Sequence, residues 1–332
     1  MKSIFTEGIA MLLEFSVANF RSFYNRQTIN FVASRDRHNS ENTFGEKPRI
    51  LKAIAVFGAN ASGKSNLIQA LSSMKRLVLQ SATKMNIGDT IDIAHPFRLN
   101  TEGSSQPSYF EIRLCIERVE YRYGFAVTSE RVEEEWLYVK KPRQAEKKWL
   151  ERYYDAEVET FACYADLAKF QSLLKERTRP NSLALSTGAR ENIEGVQPLY
   201  LGFGSILFIT LDTPLLETFT LINCLATPEM KQFVLSALKD ADLGIEDIKL
   251  EEQNMKTLHY SEGNSIWFDW NEESDGTHRL FDMLGYIYIA LKRGYIVCID
   301  EFDAHLHPHI TRSLLEFFQH PDINTKGAQL LI

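Results

Sequence analysis

The stretch AVFGANASGKSN, Ala55 to Asn66, contains the phosphate-binding pattern G-x-x-x-x-G-K-[ST] in full, from Gly58 to Ser65. Phosphate oxygens need several N–H donors converging from one side. A tight loop with small side chains at a helix N-terminus supplies them. Gly58 and Gly63 permit that backbone, Lys64 is placed to reach β- and γ-phosphates, and the Ser65 hydroxyl suits Mg2+. The apolar run ILKAIAVFG (50–58) leads into the loop and reads as a buried central strand. After Gly63, the residues Leu67, Ala70, Leu71 and Met74 share one face of a helix. Strand, glycine-rich loop and helix in that order predict an α/β protein of the P-loop class that binds a nucleoside triphosphate.

Working outward, LLEFSVANF (12–20) and RQTINFVAS (26–34) alternate as strands do, and RSFYN (21–25) turns between them. The segments 109–117, 119–128 and 131–140 read as an antiparallel meander. From 145 to 240 the pattern turns helical, with 3.6-residue apolar faces in YADLAKFQSLLKER and EMKQFVLSALKDA and no sustained heptads. Strand-like pieces return at IEDIKLEE and SIWFDW. A helix follows with Leu280, Leu284, Ile287 and Leu291 in register and Gly294 as its stop. YIVCIDEFD (295–303) is a buried strand ending in acids, and Pro308 suits the first turn of a further helix. The expected organisation is an N-terminal extension over 1–10, the first part of the core over 11–144, a helical insertion lobe over 145–240, and the second part of the core over 241–332. The chain ends at GAQLLI inside a strand-like run, so the expectation is that a closing portion of the core is missing.

Composition narrows the class. The 332 residues are 44% hydrophobic and 24% charged, with net charge −7, as in an ordinary soluble globular protein. The acidic balance argues against a protein that coats nucleic acid and leaves room only for a local basic groove. Basic residues gather in RQAEKKWLERYY and KERTRP with glutamates among them, which reads as a solvated helix face. Four scattered cysteines without C-x-x-C spacing fit free thiols in a reducing cytosol. Glu7 and Glu14 interrupt the apolar start, so it is no signal peptide, and no run approaches the ~20 residues of a membrane span. A cytoplasmic protein with no membrane partner is expected.

Two further stretches carry chemistry. Asp300 and Glu301 close the apolar run 295–299, where an aspartate can hold Mg2+ and a glutamate can polarise the attacking water. Adjacent strand residues point to opposite faces, so both can serve one site only where the pleat stops. ESDGTHRL (273–280) opens the preceding helix, and Ser274 and Gly276 there make a second anion-seeking N-terminus. A plain N-cap gives the same local sequence. One chain does not readily aim two helix ends at one γ-phosphate, whereas two chains head to tail do. His305, His307 and His309 alternate across a turn and Pro308, so three imidazoles do not share a face, and a structural reading is preferred. No G-x-S-x-G is present, and NTKG (324–327) does not supply a GTPase base-reading motif.

Together, NFRSF (19–23), GANASGKSNLI (58–68), ESDGTHRL and IDEFDAHLHP (299–308) resemble, in order, the ABC-type ATPases of the SMC, RecF and break-repair branch. Within that branch they are most like the predicted ATPases of bacterial phage-defence and restriction-linked loci, the RloA-like and OLD-like groups. The resemblance implies a mixed central sheet with an antiparallel meander, and ATP and Mg2+ as cofactors. It implies that Arg21 contacts nucleotide and that Asn60, Ala61, Ser62, Gly63, Lys64, Ser65 and Asn66 wrap the phosphates with Gly58. Ser274 and Gly276 would contact the γ-phosphate of a partner subunit, Ser65 and Asp300 would hold the metal, Glu301 would be the catalytic base, and Asp303 would face the partner. The family's switch histidine follows a strand like QLLI, which makes weak hydrolysis the expectation for these residues alone. Its switch glutamine has no well-placed counterpart, Gln80 and Gln106 being poor candidates.

The function these readings imply is an ATPase that dimerises around two ATP molecules and switches a partner effector, a nuclease or toxin, in anti-phage defence. The alternatives are a DNA-repair clamp that binds nucleic acid, and a nucleotide-gated scaffold that holds a toxin inactive with little hydrolysis. The chain between Ser65 and Ser274 has room for a compact lobe and not for long coiled-coil arms.

Overall fold

The computed structural model describes residues 10–34, 40–45, 48–166, 168–210, 216–241, 243–252, 254–261 and 263–332. The chain divides into two compact units, Met1–Ile206 and Leu207–Ile332. Of the expected N-terminal extension, residues 1–9 lie outside the described residues, and Ala10 is the first residue of a strand.

The first unit is built on a seven-stranded antiparallel sheet. Its strands are β1 (Ala10–Ala18), β2 (Gln27–Asn30), β6 (Ser108–Ile116), β7 (Val119–Val127), β8 (Val132–Lys140), β9 (Lys147–Asp155) and β10 (Thr160–Ala165). Their order is β10-β9-β8-β7-β6-β1-β2. The short pieces β3 (Thr43–Phe44), β4 (Ile50–Leu51) and β5 (Ala53–Ile54) precede the helix α1 (Lys64–Gln80), and α2 (Thr101–Ser105) precedes β6. The helices α3 (Ala168–Arg177), α4 (Ala184–Arg190) and α5 (Gln197–Gly204) complete the unit. The period-2 alternation read in β1 and in the meander places one set of side chains on the core face. One row across the sheet runs Phe15, Ile112, Tyr123, Leu137 and Leu150, all fully buried. The next row runs Val17, Phe110, Phe125 and then Glu135 and Arg152, so an apolar ladder ends in a cross-strand pair of opposite charges. The pair is satisfied from several sides. Glu135 accepts from Tyr123 Oη at 2.9 Å and from the Ala184 and Leu185 amides that open α4, while Arg152 donates to the Ser182 and Arg179 carbonyls. Burial still pushes the Glu135 carboxyl up from its ordinary value, against the pull of Arg152.

Two expectations meet a different structure here. The segment 147–165, read as the start of a helical lobe, forms β9 and β10. Its inward residues are Leu150 and Arg152, the second matched to Glu135, so a charge breaks the apolar alternation that identifies strands in sequence, and RQAEKKWLERYY is no solvated helix face. The run ILKAIAVFG is strand only at 50–51 and 53–54, and Phe57 is 91% exposed. Within its own unit and among the described residues, this run finds β3, Phe31 and Asn42 as partners over 50–53. An apolar strand is buried only where neighbours flank it.

The second unit contains β11 (Ile206–Ile209, which begins at the last residue of the first unit), α6 (Leu216–Ala226), α7 (Pro228–Asp240), β12 (Ile245–Glu251), β13 (Asn254–Ser261), β14 (Asn264–Asp269), α8 (Asp275–Arg293), β15 (Ile296–Ile299), α9 (Pro308–Gln319) and β16 (Gln329–Leu331). β12, β13 and β14 form an antiparallel sheet, and β15 pairs with β16 in parallel. Helix α8 has the face read from its sequence: Leu280, Leu284, Ile287 and Leu291 are buried, at roughly 1.5–3 kcal/mol each for a side chain of this size. It stops at Gly294, whose φ of 71° lies in the left-handed region and whose N–H bonds the Ala290 carbonyl. The fold is therefore mixed α/β with a large antiparallel sheet.

Candidate functional site

The sequence-derived residues fall into two groups, one in each unit. In the first unit the loop 58–63 enters α1 through Gly63, which sits at φ 101° as the N-cap. A glycine cap carries no side-chain acceptor, so the opening turn of α1 is not capped by its own N-cap residue. The loop is tight enough to need small residues. A Cβ on Gly58 would lie 2.6 Å from Ser62 Oγ, and one on Gly63 would lie 2.7 Å from both the Phe23 ring and Ser22 Oγ. Ala61 adopts φ 62°, a left-handed conformation uncommon outside glycine. Lys64 curls back over this loop, its Nζ donating to the Gly58 carbonyl at 2.7 Å and the Ala59 carbonyl at 3.0 Å. Its ammonium is thus held at the first two carbonyls of the loop. Asn60, Ala61 and Ser62 are exposed, and Ser65 and Asn66 are half-buried in the first turn of the helix.

The NFRSF turn is packed on this loop. Asn66 Nδ2 donates to Ser22 Oγ at 2.8 Å, and the Phe20 and Phe23 backbones bond each other at 2.8 Å to close the turn. Arg21, exposed and at φ 49°, donates its N–H to the His95 carbonyl at 2.7 Å. Arg21 and His95 line a cleft of about 660 Å³ together with Pro96, Arg98, Leu99 and Ser104. Burial and the neighbouring Arg21 charge lower the His95 pKa, which favours the neutral imidazole. The structure thus joins Arg21, Gly63 and Asn66 in one substructure. Sequence reading passed over Ser22, Phe23 and His95. Only the place of the first two beside Arg21 in NFRSF hinted at them, because their role is a contact across 40 or more residues.

In the second unit Ser274 caps α8, accepting from the Thr277 N–H at 3.1 Å. The residue before it, Glu273, accepts from Thr257 Oγ1 and meets His259 Nε2 at 2.7 Å, which ties the helix start to β13. Gly276 packs against the loop after β15, where a Cβ would lie 2.8 Å from the His305 carbonyl. Asp300 is anchored by its own N–H, which donates to the Ile209 carbonyl at 2.9 Å. The pleat does stop there: Glu301 adopts φ 51°, is exposed, and begins a turn in which Ala304 N–H bonds its carbonyl. A glutamate in the left-handed region is held there by its surroundings and marks a position worth a functional reading. Asp303 is exposed. His307 caps α9, its Nδ1 accepting from the His309 N–H at 3.2 Å, and His305 is exposed at φ 62°. Among the described residues no three His, Cys, Asp or Glu side chains gather as a metal-binding group. No helix among them is long and apolar enough to cross a membrane. Arg279, which sequence reading passed over, is buried beside the acids and donates to the Asp300 carbonyl at 3.1 Å. An arginine three residues after Gly276, on the apolar stripe of α8, was its one visible signal.

Residues 53–332 match the family model described as "AAA domain, putative AbiEii toxin, Type IV TA system", and the chain belongs to that family. No curated protein sequence matches it. Among solved structures it is similar to the Smc head domain with an extended coiled coil bound to the C-terminal domain of ScpA, from Pyrococcus furiosus, at 10% identity and TM-score 0.42, covering 97% of this chain and 89% of that one. It is also similar to the recombination mediator protein RecF with ATPγS, at 12% identity and TM-score 0.32, covering 98% and 93%.

Proposed function

We propose, from membership of that AAA family, that this chain binds ATP through Gly58–Asn66 and hydrolyses it in a head-to-tail dimer whose state switches a partner effector. The observation that carries the reading is Lys64, whose ammonium is gathered over a glycine-capped loop next to the NFRSF turn. In the bound state that ammonium would exchange two carbonyl partners for phosphate oxygens, and the amides of the loop would take the rest. A serine hydroxyl and an aspartate carboxylate are hard oxygen donors of the kind Mg2+ takes together with phosphate, and in this reading Ser65 and Asp300 would be those donors. Mg2+, when bound, would neutralise charge developing on the phosphates. Glu301 would accept a proton from water as the water oxygen bonds the γ-phosphorus. The bond from that phosphorus to the β–γ bridging oxygen breaks, releasing ADP and phosphate. Ser274 and Gly276 would serve the γ-phosphate of the partner subunit.

The setting in anti-phage defence is supported by the family description, which names a toxin of a type IV toxin–antitoxin system, and by the sequence resemblance to defence-linked ATPases. The effector in this reading is a nuclease or toxin. A RecF-like clamp is the second reading, and steeply salt-dependent duplex binding is the behaviour that would favour it. The deciding experiment is ATP titration of wild type and Lys64→Ala. The variant is expected to lose measurable binding, and unchanged affinity would sink the assignment.

A further inference from the structure

Arg279 is only 6% exposed, yet its guanidinium is incompletely used. One terminal nitrogen donates to the Asp300 carbonyl at 3.1 Å, and Nε has no hydrogen-bond partner among the described residues. A buried donor without an acceptor is costly, and a leucine or methionine filling the same space on the helix would not incur that cost. Burial lowers the Arg279 pKa, and the carboxylates of Asp282, Glu301 and Asp300 oppose that shift, so the guanidinium lies in the field of both proposed site acids. Three residues earlier, Gly276 meets the His305 carbonyl so closely that a Cβ would not fit without movement. Positions 276 and 279 lie on one helix face. The first turns of α8 therefore grip the acid loop at its start, Asp300, and at its end, His305.

We infer that Arg279 is a positioning residue that fixes the Asp300–Glu301 peptide to the helix whose N-terminus carries Ser274 and Gly276. The inference rests on the proposed function for its catalytic meaning. In a head-to-tail dimer, the helix start would touch one ATP while Glu301 serves the other, and Arg279 would link the two within one subunit. A lysine has one point charge where the guanidinium has a fork, so it can keep the bond to the carbonyl but not the geometry around it. The left-handed Glu301 depends on such restraint, since that conformation is costly for a side chain of its size.

The test is amide hydrogen exchange on the whole chain without nucleotide, for wild type, Arg279→Met and Arg279→Lys, followed by ATP affinity and turnover. Exchange in 299–306 is expected to quicken about tenfold or more in Arg279→Met, with β13, β14 and the first unit unchanged and Arg279→Lys between the two. ATP affinity is expected to stay within about twofold while kcat falls about tenfold or more, the scale of misplaced catalytic geometry. Unchanged exchange at 299–306, a uniform acceleration over Leu207–Ile332, or faster exchange with normal kcat would each overturn the inference. If Arg279→Met does not fold, Arg279→Gln carries the same comparison. Loss of the proposed function is seen separately, as ATP binding that survives Lys64→Ala. The nucleotide-free exchange result then decides the loop contact alone.

Discussion

Ser22 and Asn66 are joined by a hydrogen bond of 2.8 Å that fastens the turn after β1 to the first turn of α1. The same turn carries Arg21 and places Phe23 against the glycine that caps the helix. In the proposed site this bond sets where Arg21 stands relative to the phosphate loop. Ser22→Ala removes the acceptor and leaves every proposed ligand in place. A net hydrogen bond of about 0.5–1.5 kcal/mol corresponds to an ATP affinity weakened about 2- to 10-fold. Titration calorimetry with unchanged far-UV circular dichroism would check it, and wild-type affinity would show that the turn does not support the loop.

Glu301→Gln keeps the size and the hydrogen-bonding capacity of the side chain and removes its basicity. ATP binding is expected to persist while steady-state turnover drops by about 100-fold or more, the usual range for general bases. A dimer accumulating with ATP in size-exclusion chromatography is the accompanying expectation. Normal turnover would exclude Glu301 as the base.

Asp282, on α8 beside Arg279, has its pKa pushed up to about 6, first by burial and next by Glu217, with Arg279 and His278 pulling the other way. One of its oxygens has no hydrogen-bond donor among the described residues. The folded state therefore holds this proton more tightly than the unfolded chain. The resulting stabilisation is full below about pH 4 and fades as pH rises through about 6. Asp282→Asn is expected to raise the melting temperature above pH 7, with the difference from wild type shrinking toward pH 4. Thermal melts of both proteins over pH 4–8 give the comparison, and an Asn variant less stable at pH 8 would contradict it.

Glu135 and Arg152 lie 3.8 Å apart with side chains at most 1% exposed. Removing one member strands the other in the core. Glu135→Ala is expected to destabilise the protein by about 3–5 kcal/mol. It also frees the Ala184 and Leu185 amides at the start of α4. Denaturant unfolding measures the loss, and a cost under about 1 kcal/mol would show that water or a neighbour replaces the carboxylate.

The sequence by itself determined what is local. Gly63 and Gly294 mark the start of α1 and the end of α8 because their left-handed backbones suit glycine, and Pro308 opens α9 because its nitrogen needs no acceptor there. The 3.6-residue faces of α1 and α8 and the alternation of β6 to β8 were legible for the same reason: burial repeats with the period of the element. Tertiary structure decided what depends on partners far along the chain. β9 could not be read as a strand because one of its two inward residues, beside Leu150, is Arg152, tolerable in a core only opposite Glu135. Likewise, nothing near Arg279 in sequence names the Asp300 carbonyl as its acceptor. The loop AVFGANASGKSN was legible as a phosphate cradle, whereas its fastening to Ser22 and Phe23 came from the fold, since charge pairs and hydrogen bonds across the chain leave no periodic trace.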